Sequence, residues 1–401
     1  MTYDPAAARL DGFRPLLSGI AEGAARREAE RIQPYKQVGL LRDAGFTALT
    51  VPVEHGGAGV SVTELFALLI ALAEADSNLP QLLRAHFAFV EGLLLEPRRP
   101  DREKWFVRVA DGAIVGNASH ERGPATVGSL ATKLTPAAQG WLLNGEKYYS
   151  TGSLFADWIT TTAEDPAGET VSVSVPAEAE GVERRDDWLG FGQRLTGSGT
   201  TTFTDVAITP DLLHRYQPNR TRTLLPAFLQ TVLLASLAGV GRAATRDAAR
   251  FVRERTRVYE HGAGTTAATD PLVQSVVGRL AADAAAAETL TLDAARHIER
   301  AHEAIAAGEE ADELIDAAEL RTVQAQLTVV ELVQRITTKL FDVGGASATS
   351  TQHGFDRHWR NARTLSSHNP AIYQERAIGD HVVNGTGLTY FWATGEASRS
   401  N

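Results

Sequence analysis

The sequence predicts an α+β protein of three units: an N-terminal helical unit over residues 1–110, a small β-barrel or sandwich over 111–220, and a C-terminal four-helix bundle over 221–401. Apolar residues recur at three- and four-residue spacing in the first and last units, which is typical of amphipathic helices. In the middle unit, β-branched and aromatic residues alternate with polar ones, which is typical of half-buried strands. The length of 401 residues also favours several packed units over one.

Local signals refine the first two units. The Pro/Gly-rich stretch TVPVEHGGAGVS, residues 50–61, predicts a loop between two helices. Ser61 is the predicted N-cap of the second of these helices, and Glu64 stands where it would complete a capping box. In the β-unit, Asn144 and Gly145 lie between two strand-like runs and predict the turn of a hairpin.

The last unit contains three long Ala/Leu-rich helical patterns, over about 226–259, 271–305 and 311–341. In the second pattern, Val273, Val276, Val277 and Leu280 fall on one face, as a bundle helix requires. A polar cluster ending in Pro370 predicts a break, and the stretch from about 369 to 383 is the expected fourth helix.

Composition excludes several classes of function. The formal net charge is −10 and no run of Lys or Arg forms a basic stripe, so nucleic acid is not an expected partner. The absence of cysteine excludes disulfides, thiolate nucleophiles and Cys-ligated metals. His353 and His358 are spaced onto different helix faces, so no metal site is expected. We expect a cytoplasmic protein, because we find neither a signal-peptide pattern nor an apolar window that could cross a membrane.

Five motifs, taken in their order along the chain, resemble segments of the acyl-CoA dehydrogenase superfamily. They are GFTALTVPVEHGGAGVS (45–61), NGEKYYSTGSLFADW (144–158), GFGQRLTGSGTTTFTDVAI (190–208), RERTRVY (253–259) and LFDVGGASATS (340–350). The resemblance covers nearly the whole chain and implies that family's three-part fold, with a flavin between the β-unit and the bundle.

The segment DRHWRNARTLSSHNP, residues 356–370, resembles the flavin-dependent monooxygenase branch of this superfamily. True acyl-CoA dehydrogenases have a catalytic Glu after this segment, and here that position falls on or beside Asn369. An amide has no usable basicity for abstracting a proton. The branch includes dibenzothiophene monooxygenases, related sulfone and indole oxygenases, and amine or amino-sugar N-hydroxylases.

The resemblance to this branch implies a two-component system. Reduced flavin, FADH2 or FMNH2, would come from a separate NAD(P)H:flavin reductase and would react with O2 to give a C4a-hydroperoxide. This species would oxygenate a small aromatic heterocycle, such as an indole- or dibenzothiophene-type ring. The alternatives are an acyl-CoA dehydrogenase with a relocated base, an N-hydroxylase of the same fold, or a member that has lost its chemistry.

His368 is the main catalytic candidate, because the resemblance places it in the family's catalytic segment. An imidazole donates hydrogen bonds, and its unperturbed pKa of about 6.5 suits proton exchange near neutral pH. We expect it to donate a proton to the flavin peroxide or to act as a base on substrate. His86 is the second candidate, since the monooxygenases place a histidine on this helix. The alternative for His86 is a hydrogen-bonded core residue.

The resemblance also implies which residues contact the flavin ring. Asn117, with Ser119 and His120 as weaker candidates, lies where the family hydrogen-bonds the isoalloxazine edge. Ser150 and Thr151 lie on the strand that packs against the flavin, and we count Asn117 and Ser150 among the catalytic candidates. A turn-forming Asn and an ordinary half-buried strand are the alternative interpretations.

Two further residues are expected near the flavin. Trp188 offers a large apolar surface at the entry to the site, and Ser198 offers a hydroxyl for phosphate. Gly197 and Gly199 leave room for the backbone to approach an anion. Without the resemblance, these residues would be interpreted as a glycine-rich turn between strands.

Arg255 matches a phosphate-binding arginine that reaches the flavin of a neighbouring subunit in the family, so the resemblance implies a homotetramer. Arginine contacts phosphate oxygens in a bidentate manner. Arg257 remains an alternative, because helix periodicity does not decide between the two. Gly344 and Gly345, within DVGGAS, would close the same phosphate site.

Overall fold

The computed structural model describes residues 5–122, 130–215 and 222–388. Within the first of these ranges the chain is helical up to Ala110. The helices are α1 (Pro5–Glu22), α2 (Ala24–Glu30), α3 (Tyr35–Asp43), α4 (Val62–Ala75), α5 (Asn78–Leu82), α6 (Arg84–Leu95) and α7 (Arg102–Ala110). Helix α4 is apolar on nearly all sides and packs into the main core of the molecule.

The start of α4 confirms one of the two capping predictions and contradicts the other. Ser61 is its N-cap, as predicted, because the Ser61 hydroxyl accepts a hydrogen bond from the Glu64 amide at 3.3 Å. The second half of the predicted capping box is wrong. The Glu64 carboxylate instead pairs with Arg9 Nε on α1 at 2.6 Å, because a cation within reach is a stronger partner than a backbone amide.

The strands of the middle unit form one mixed sheet with its own apolar core. They are β1 (Val115–Ala118), β2 (Lys133–Ala137), β3 (Gly140–Lys147), β4 (Trp158–Glu164), β5 (Thr170–Pro176), β6 (Val182–Arg184), β7 (Thr201–Ile208) and β8 (Leu213–His214). Their spatial order is β6-β7-β3-β2-β4-β5-β8, and β1 pairs in parallel with β4. The carboxyl ends of β1 and β3 lie side by side, joined by a bridge between His120 and Tyr148.

The predicted hairpin turn at Asn144 and Gly145 is wrong. The hairpin exists, but β2 and β3 join between Ala137 and Gly140, and the Asn-Gly pair lies inside β3 at an irregularity of its pairing with β7. Asn144 exchanges two 2.9 Å hydrogen bonds with Asp205 of β7. A Cβ at position 145 would lie 2.4 Å from Thr132 Oγ1, so this glycine serves close packing and not a turn.

The C-terminal unit begins with three long helices, α8 (Leu225–Glu254), α9 (Pro271–Ala307) and α10 (Asp312–Lys339). Leu280 of α9 is buried, and Val273, Val276 and Val277 pack beside it, which confirms the predicted apolar face. In the described part of the chain, α8 is the one helix long and apolar enough to cross a membrane, contrary to our expectation that no such window exists. Because 89% of its apolar window is buried, α8 is the central core helix of the unit.

Two short helices follow, α11 (Asp356–Ser366) and α12 (Ala371–Asn384), which confirms the predicted break before Pro370. Helix α11 buries one face, including Ala362 and Leu365. Helix α12 occupies the place of the expected fourth helix but buries none of its side chains. The predicted α+β fold class is confirmed, with α11 contributing the core contacts that we had assigned to the fourth helix.

Candidate active site

His368 lies in the break between α11 and α12, where a chain of hydrogen bonds fixes its ring. Its Nδ1 lies 3.2 Å from Asn369 Oδ1, and the Asn369 amide nitrogen donates to Gln230 Oε1 at 2.6 Å. Because this leaves Asn369 Oδ1 as an acceptor, His368 carries its proton on Nδ1 and donates it. The other nitrogen, Nε2, therefore accepts, and it lies 3.4 Å from Nη1 of Arg84.

His368 is exposed and Arg84 beside it is half-buried, so the pair lines a solvent-accessible opening, which we call the cavity. Burial and the charge of Arg84 hold the pKa of His368 well below its ordinary value. Burial and Arg84 lower the pKa of His120 in the same way. The expectation of an imidazole titrating near neutral pH is therefore wrong: His368 is neutral in this environment and offers Nε2 as a proton acceptor.

Arg84, which the sequence did not single out, is placed by contacts with all three units. It begins α6, and its Nε donates to the carbonyl oxygen of Leu229 on α8 at 3.0 Å. Two residues earlier, the Leu82 carbonyl packs against Gly152 of the β-unit, where a Cβ would lie 2.3 Å from that oxygen. A lone arginine in the apolar run LLRAHF was the available signal, because an arginine is rarely buried without a partner.

His86, two residues further along α6, has the core role that the sequence left open. Its ring is fully buried; Nε2 donates to the Thr47 carbonyl at 2.7 Å, and Nδ1 accepts from the Val115 amide at 3.2 Å. Burial lowers the pKa of His86 to about 4. Both ring nitrogens are occupied, so none remains for the catalytic role that we predicted. His86 instead fixes α6 to the start of β1.

Ser150 lies at the carboxyl end of β3, after a residue in an unusual conformation. Tyr149 has φ = 58°, which is uncommon for a bulky side chain and is often found at functional sites. The Ser150 amide donates to the Gly199 carbonyl at 3.1 Å, which holds the turn in place. The Ser150 hydroxyl is 1% exposed and has no partner in the described protein. A buried hydroxyl without a partner indicates a missing ligand.

Hydroxyl groups gather beside Ser150. Ser198 Oγ lies 2.8 Å from Thr151 Oγ1 and 2.7 Å from Thr196 Oγ1, so it bridges the β3 turn and the glycine-rich loop before β7. The Trp188 ring lies edge-on to Tyr149 at 5.9 Å, and its Nε1 donates to the Gln193 carbonyl at 3.0 Å. These contacts bring Ser150, Thr151, Trp188 and Ser198 together at one end of the sheet.

Asn117 and Ser119 lie at the same end, on and just after β1. Ser119 Oγ donates to Asn117 Oδ1 at 2.6 Å, which orients the Asn117 amide. The Asn117 carbonyl accepts from Ser153 Oγ at 3.0 Å, and this links β1 to the turn that carries Ser150. The predicted ring-contacting residues are therefore neighbours in space.

Three domain models of one family match the chain. They are the acyl-CoA dehydrogenase N-terminal domain over residues 17–113, middle domain over 118–206 and C-terminal domain over 232–371. The chain belongs to the acyl-CoA dehydrogenase family. The N-terminal helices, the sheet and the long-helix bundle are this family's three parts in order.

Within the family, the chain is similar to monooxygenases. It is 27% identical over 361 residues to dibenzothiophene monooxygenase of Mycolicibacterium goodii, which covers 86% of each chain. It is 27% identical to a probable FMNH2-dependent monooxygenase, SfnC, of Pseudomonas putida, which covers 92% of this chain and 93% of the other. The solved structure of TdsC from Paenibacillus sp. A11-2 with FMN and indole superposes with a TM-score of 0.87 at 27% identity, over 95% of this chain and 98% of that one. The chain is a flavin-dependent monooxygenase that uses reduced flavin and O2.

The residues at the sheet end fit a flavin. The unpartnered Ser150 hydroxyl and the Asn117 amide are groups that can hydrogen-bond the edge of an isoalloxazine ring. The Trp188 ring supplies an apolar wall beside them. His368 and Arg84 approach from the bundle and from α6; Arg84 lowers the pKa of His120, and His120 lowers the pKa of His368. Because His120 bridges to Tyr148, it connects the His368–Arg84 pair to the end of the sheet that carries the flavin-contacting candidates.

Arg255 lies far from this cavity within one chain. It follows the last residue of α8, and its side chain contacts the Val343 carbonyl at 3.4 Å and stacks over Tyr259. The Tyr259 hydroxyl reaches the Gly344 carbonyl, and Gly345 lies beside that ring at φ = 54°. Arg84 contacts α8 at Leu229, so the two sites are separated by roughly 40 Å along the helix at 1.5 Å per residue.

The opposite end of α11 carries a second histidine, in a fully paired cluster. His358 Nε2 donates to Asp247 Oδ2 at 3.0 Å, and Arg357 Nη2 pairs with the same oxygen at 2.5 Å. Burial disfavours ionisation of Asp247, but the hydrogen bond from His358 and the charge of Arg357 outweigh it and hold the Asp247 pKa below its usual range. His353 instead contacts the Phe251 ring.

Proposed function

We propose that this chain is the oxygenase component of a cytoplasmic two-component system that oxygenates a small aromatic substrate. A separate NAD(P)H-dependent reductase supplies the reduced flavin, which we propose to be FMN. FMN is supported by its presence in the solved TdsC structure and by the FMNH2 dependence named for SfnC. An indole- or dibenzothiophene-type ring is supported by the ligand and names of the same relatives.

One observation carries the proposal: among the residues that the structure describes, the groups bonded to His368 and Asn369 include no carboxylate. In the described ranges, His368 and Asn369 bond to Arg84, Gln230 and Gln326, a guanidinium and two amides. A dehydrogenase needs a base within hydrogen-bond reach of the substrate α-carbon, and carboxylates serve this role in the family's dehydrogenases. Bound reduced flavin supplies electrons for activating O2, a reaction that a neighbouring carboxylate would hinder by repelling negative charge.

The side chains of the cavity have distinct tasks. Ser150 and Asn117 orient the flavin, and the Trp188 ring limits access of water from the entry side. His368 Nε2 receives a proton from the substrate or passes one on, while its Nδ1 proton stays on Asn369 Oδ1. The Asn369–Gln230 bond holds this tautomer, because with the proton on Nε2 instead, the acceptor Nδ1 would face the acceptor Asn369 Oδ1.

We also propose that the flavin site is completed by a second subunit, within a homotetramer. The segment of Arg255, Tyr259, Gly344 and Gly345 lies roughly 40 Å along α8 from the point where Arg84 contacts this helix, too far to reach an FMN bound beside Arg84 of its own chain. An arginine beside a glycine-rich break is a suitable phosphate ligand. The position of Arg255 supports a contact with the flavin site of a neighbouring subunit. Sedimentation at increasing protein concentration, with and without FMN, tests the assembly.

The function is tested by isotope incorporation. The purified chain is mixed with FMN, NADH, a flavin reductase, ¹⁸O2 and either indole or dibenzothiophene, and the products are analysed by mass spectrometry. We expect one ¹⁸O atom per product molecule, and none when the chain is replaced by the reductase alone, which excludes oxidation by released peroxide. Anaerobic bleaching of the bound flavin by an acyl-CoA, with no ¹⁸O in either aromatic compound, would show a dehydrogenase with a relocated base instead.

A further inference from the structure

Arg84 is a half-buried cation that has no ionic partner within the described ranges. Its Nε donates to the Leu229 carbonyl and its Nη1 faces His368, while Nη2 bonds to no residue in the described ranges. No carboxylate in those ranges lies within ion-pair distance of the guanidinium. Burial alone lowers the pKa of Arg84 to about 10, with no acidic group acting against it.

Two other arginines, the buried Arg27 and the half-buried Arg357, are compensated. Arg27 pairs with Asp76 at 2.9 Å, and Arg357 pairs with Asp247. These pairs follow the general rule that a buried charge is retained only with a partner of opposite sign. The exception at Arg84 lies in the cavity beside His368, where a ligand can bind.

The acid nearest in sequence to His120 does not compensate Arg84. The Glu121 carboxylate accepts from Lys147 Nζ at 2.6 Å, from Thr132 Oγ1 and from two backbone amides. Lys147 is itself fully buried, so Glu121 neutralises that lysine. The cavity is thus left with a net positive charge on Arg84 and with His120 and His368 as hydrogen-bonding neighbours.

We propose that the substrate of this enzyme carries an anionic oxyacid group, a carboxylate or sulfinate, which binds Arg84 Nη2 and His120 beside His368. A guanidinium binds two oxygens of such a group at once, and the interaction is strengthened where water is excluded. The inference refines the proposed substrate from a neutral aromatic ring to an aromatic acid. It rests on the proposed function only in identifying the ligand of this cavity as the substrate.

Binding of the anion to Arg84 also changes His368. With the guanidinium engaged by an oxyanion, its charge no longer opposes protonation of His368, and Nε2 is released from Nη1. Lys147 keeps its Glu121 partner, and His120 faces the bound group. His368 then becomes a better proton acceptor when substrate is present than when the cavity is empty, which couples binding to proton transfer.

The test compares matched ligands on the FMN-loaded protein in air, without reductant. Calorimetric titrations use benzoate against its neutral analogue benzamide, and benzenesulfinate against methyl phenyl sulfoxide. We expect at least one anion to bind about tenfold or more tightly than its neutral analogue, and Arg84→Gln to remove that preference, as loss of a charged hydrogen bond predicts. The affinity for the neutral analogue should stay within about twofold, since it makes no ionic contact.

Three further measurements serve as controls for the proposal. Arg84→Lys, which preserves the charge, should retain part of the preference and covers the case in which Arg84→Gln does not fold. Arg26→Gln, at an exposed pair with Glu30, is the control and should bind like wild type. Competition with sodium sulfate distinguishes a site for substrate from a site for free inorganic ions, since equal affinity for sulfate and benzoate would overturn the substrate assignment.

The absence of any preference for an anion, including absence of binding, overturns the inference. An Arg84→Gln variant that keeps the preference does so as well. Because these titrations involve no turnover, an anion preference without ¹⁸O incorporation would leave the site standing and remove the proposed function. Incorporation of ¹⁸O without an anion preference would overturn only the inference that the substrate is anionic.

Discussion

The two ends of α11 place a histidine and an arginine side by side, but only one end adds a carboxylate. At the first end, His358 and Arg357 both bind Asp247; Asp247 and His358 are buried, and Arg357 is half-buried. At the second end, His368 meets Arg84, and the remaining partners are amides. We call the first cluster, in which Asp247 balances the charge of Arg357, the closed cluster. We call the second, in which no described carboxylate balances the charge of Arg84, the open cluster.

This difference indicates that the closed cluster stabilises the fold and that the open cluster binds the reactants. Burial and Arg357 lower the pKa of His358 to about 4, so a neutral imidazole, two ions and their hydrogen bonds together satisfy one another. The cluster at His368 has an accessible nitrogen and an uncompensated cation in a cavity that water enters. Unsatisfied groups in a cavity are what a substrate or cofactor can bind.

The largest effect is expected from opening the closed cluster. Asp247→Asn leaves Arg357 and His358 buried without their anion, so the free energy of unfolding should fall by about 3–5 kcal/mol. Urea unfolding at pH 7 measures it, with Asp211→Asn, an exposed pair with Lys104, as the control. A loss below about 1 kcal/mol, the range of exposed pairs, would mean that Asp247 is no more important than a surface ion pair.

Glu319 on α10 is a third case, a buried acid without a cation. Burial raises its pKa to about 8, and one carboxyl oxygen has no partner in the described structure. The folded chain therefore holds this proton more tightly than the unfolded chain does. The free energy of unfolding should fall by up to about 4 kcal/mol as the pH rises from 4.5 to 8.

Urea unfolding at pH 5, 6.5 and 8 tests this, by comparing Glu319→Gln with the exposed Glu313→Gln on the same helix. The Glu319→Gln substitution should flatten the pH dependence, and the control should leave it unchanged. If both variants keep the wild-type slope, Glu319 does not titrate in this range. The same variant tests the relocated-base alternative, because Glu319 lies two helical turns from Gln326, which contacts Asn369.

Removing the imidazole from the open cluster should impair turnover more than stability. We expect His368→Gln to lower the rate of ¹⁸O product formation by about 100-fold, as loss of a general acid–base group predicts. The unfolding midpoint should remain close to wild type, because the His368 ring is exposed within its cavity. His297→Gln, at a histidine on α9 that bonds to its own helix, is the control. Full activity in His368→Gln would remove this residue from the mechanism.

The smallest effect is expected at Ser150. Its hydroxyl has no partner in the described protein, so Ser150→Ala should leave stability unchanged and raise the dissociation constant for FMN by about fivefold, the value of one hydrogen bond. Quenching of flavin fluorescence on binding measures the constant. Ser198→Ala, which removes contacts to two hydroxyls, is the comparison and should lower stability. Unchanged FMN affinity in Ser150→Ala would place the flavin edge elsewhere.

Sequence periodicity was sufficient for features decided within one element. It predicted the apolar face of α9 and the break before Pro370, because each depends on residues a few positions apart. It failed at Asn144 and Gly145, where pairing with Asp205 of another strand decided that the strand continues. Local turn chemistry is overridden when a neighbouring strand satisfies the same groups.

The candidate site shows the same limit. His368, Ser150 and Asn117 were predicted from the resemblance, and their grouping in space now supports further tests of their roles. His86 was misjudged and Arg84 was missed because their states depend on Thr47, Val115 and Leu229, which are distant in sequence. Sequence alone cannot tell which of two polar residues on one helix will find its partners.

The most direct test of the central claim compares the two histidines of α11 in one reaction. Wild type, His368→Gln and His358→Gln are loaded with reduced FMN without oxygen, mixed with O2 in the absence of substrate, and the release of hydrogen peroxide is followed through a peroxidase. We predict that release accelerates about tenfold or more in His368→Gln and stays near wild type in His358→Gln, in keeping with the effect of losing one acid–base group. Equal rates in all three proteins, or acceleration in His358→Gln alone, would contradict the assignment of the open end of α11 as the reaction centre.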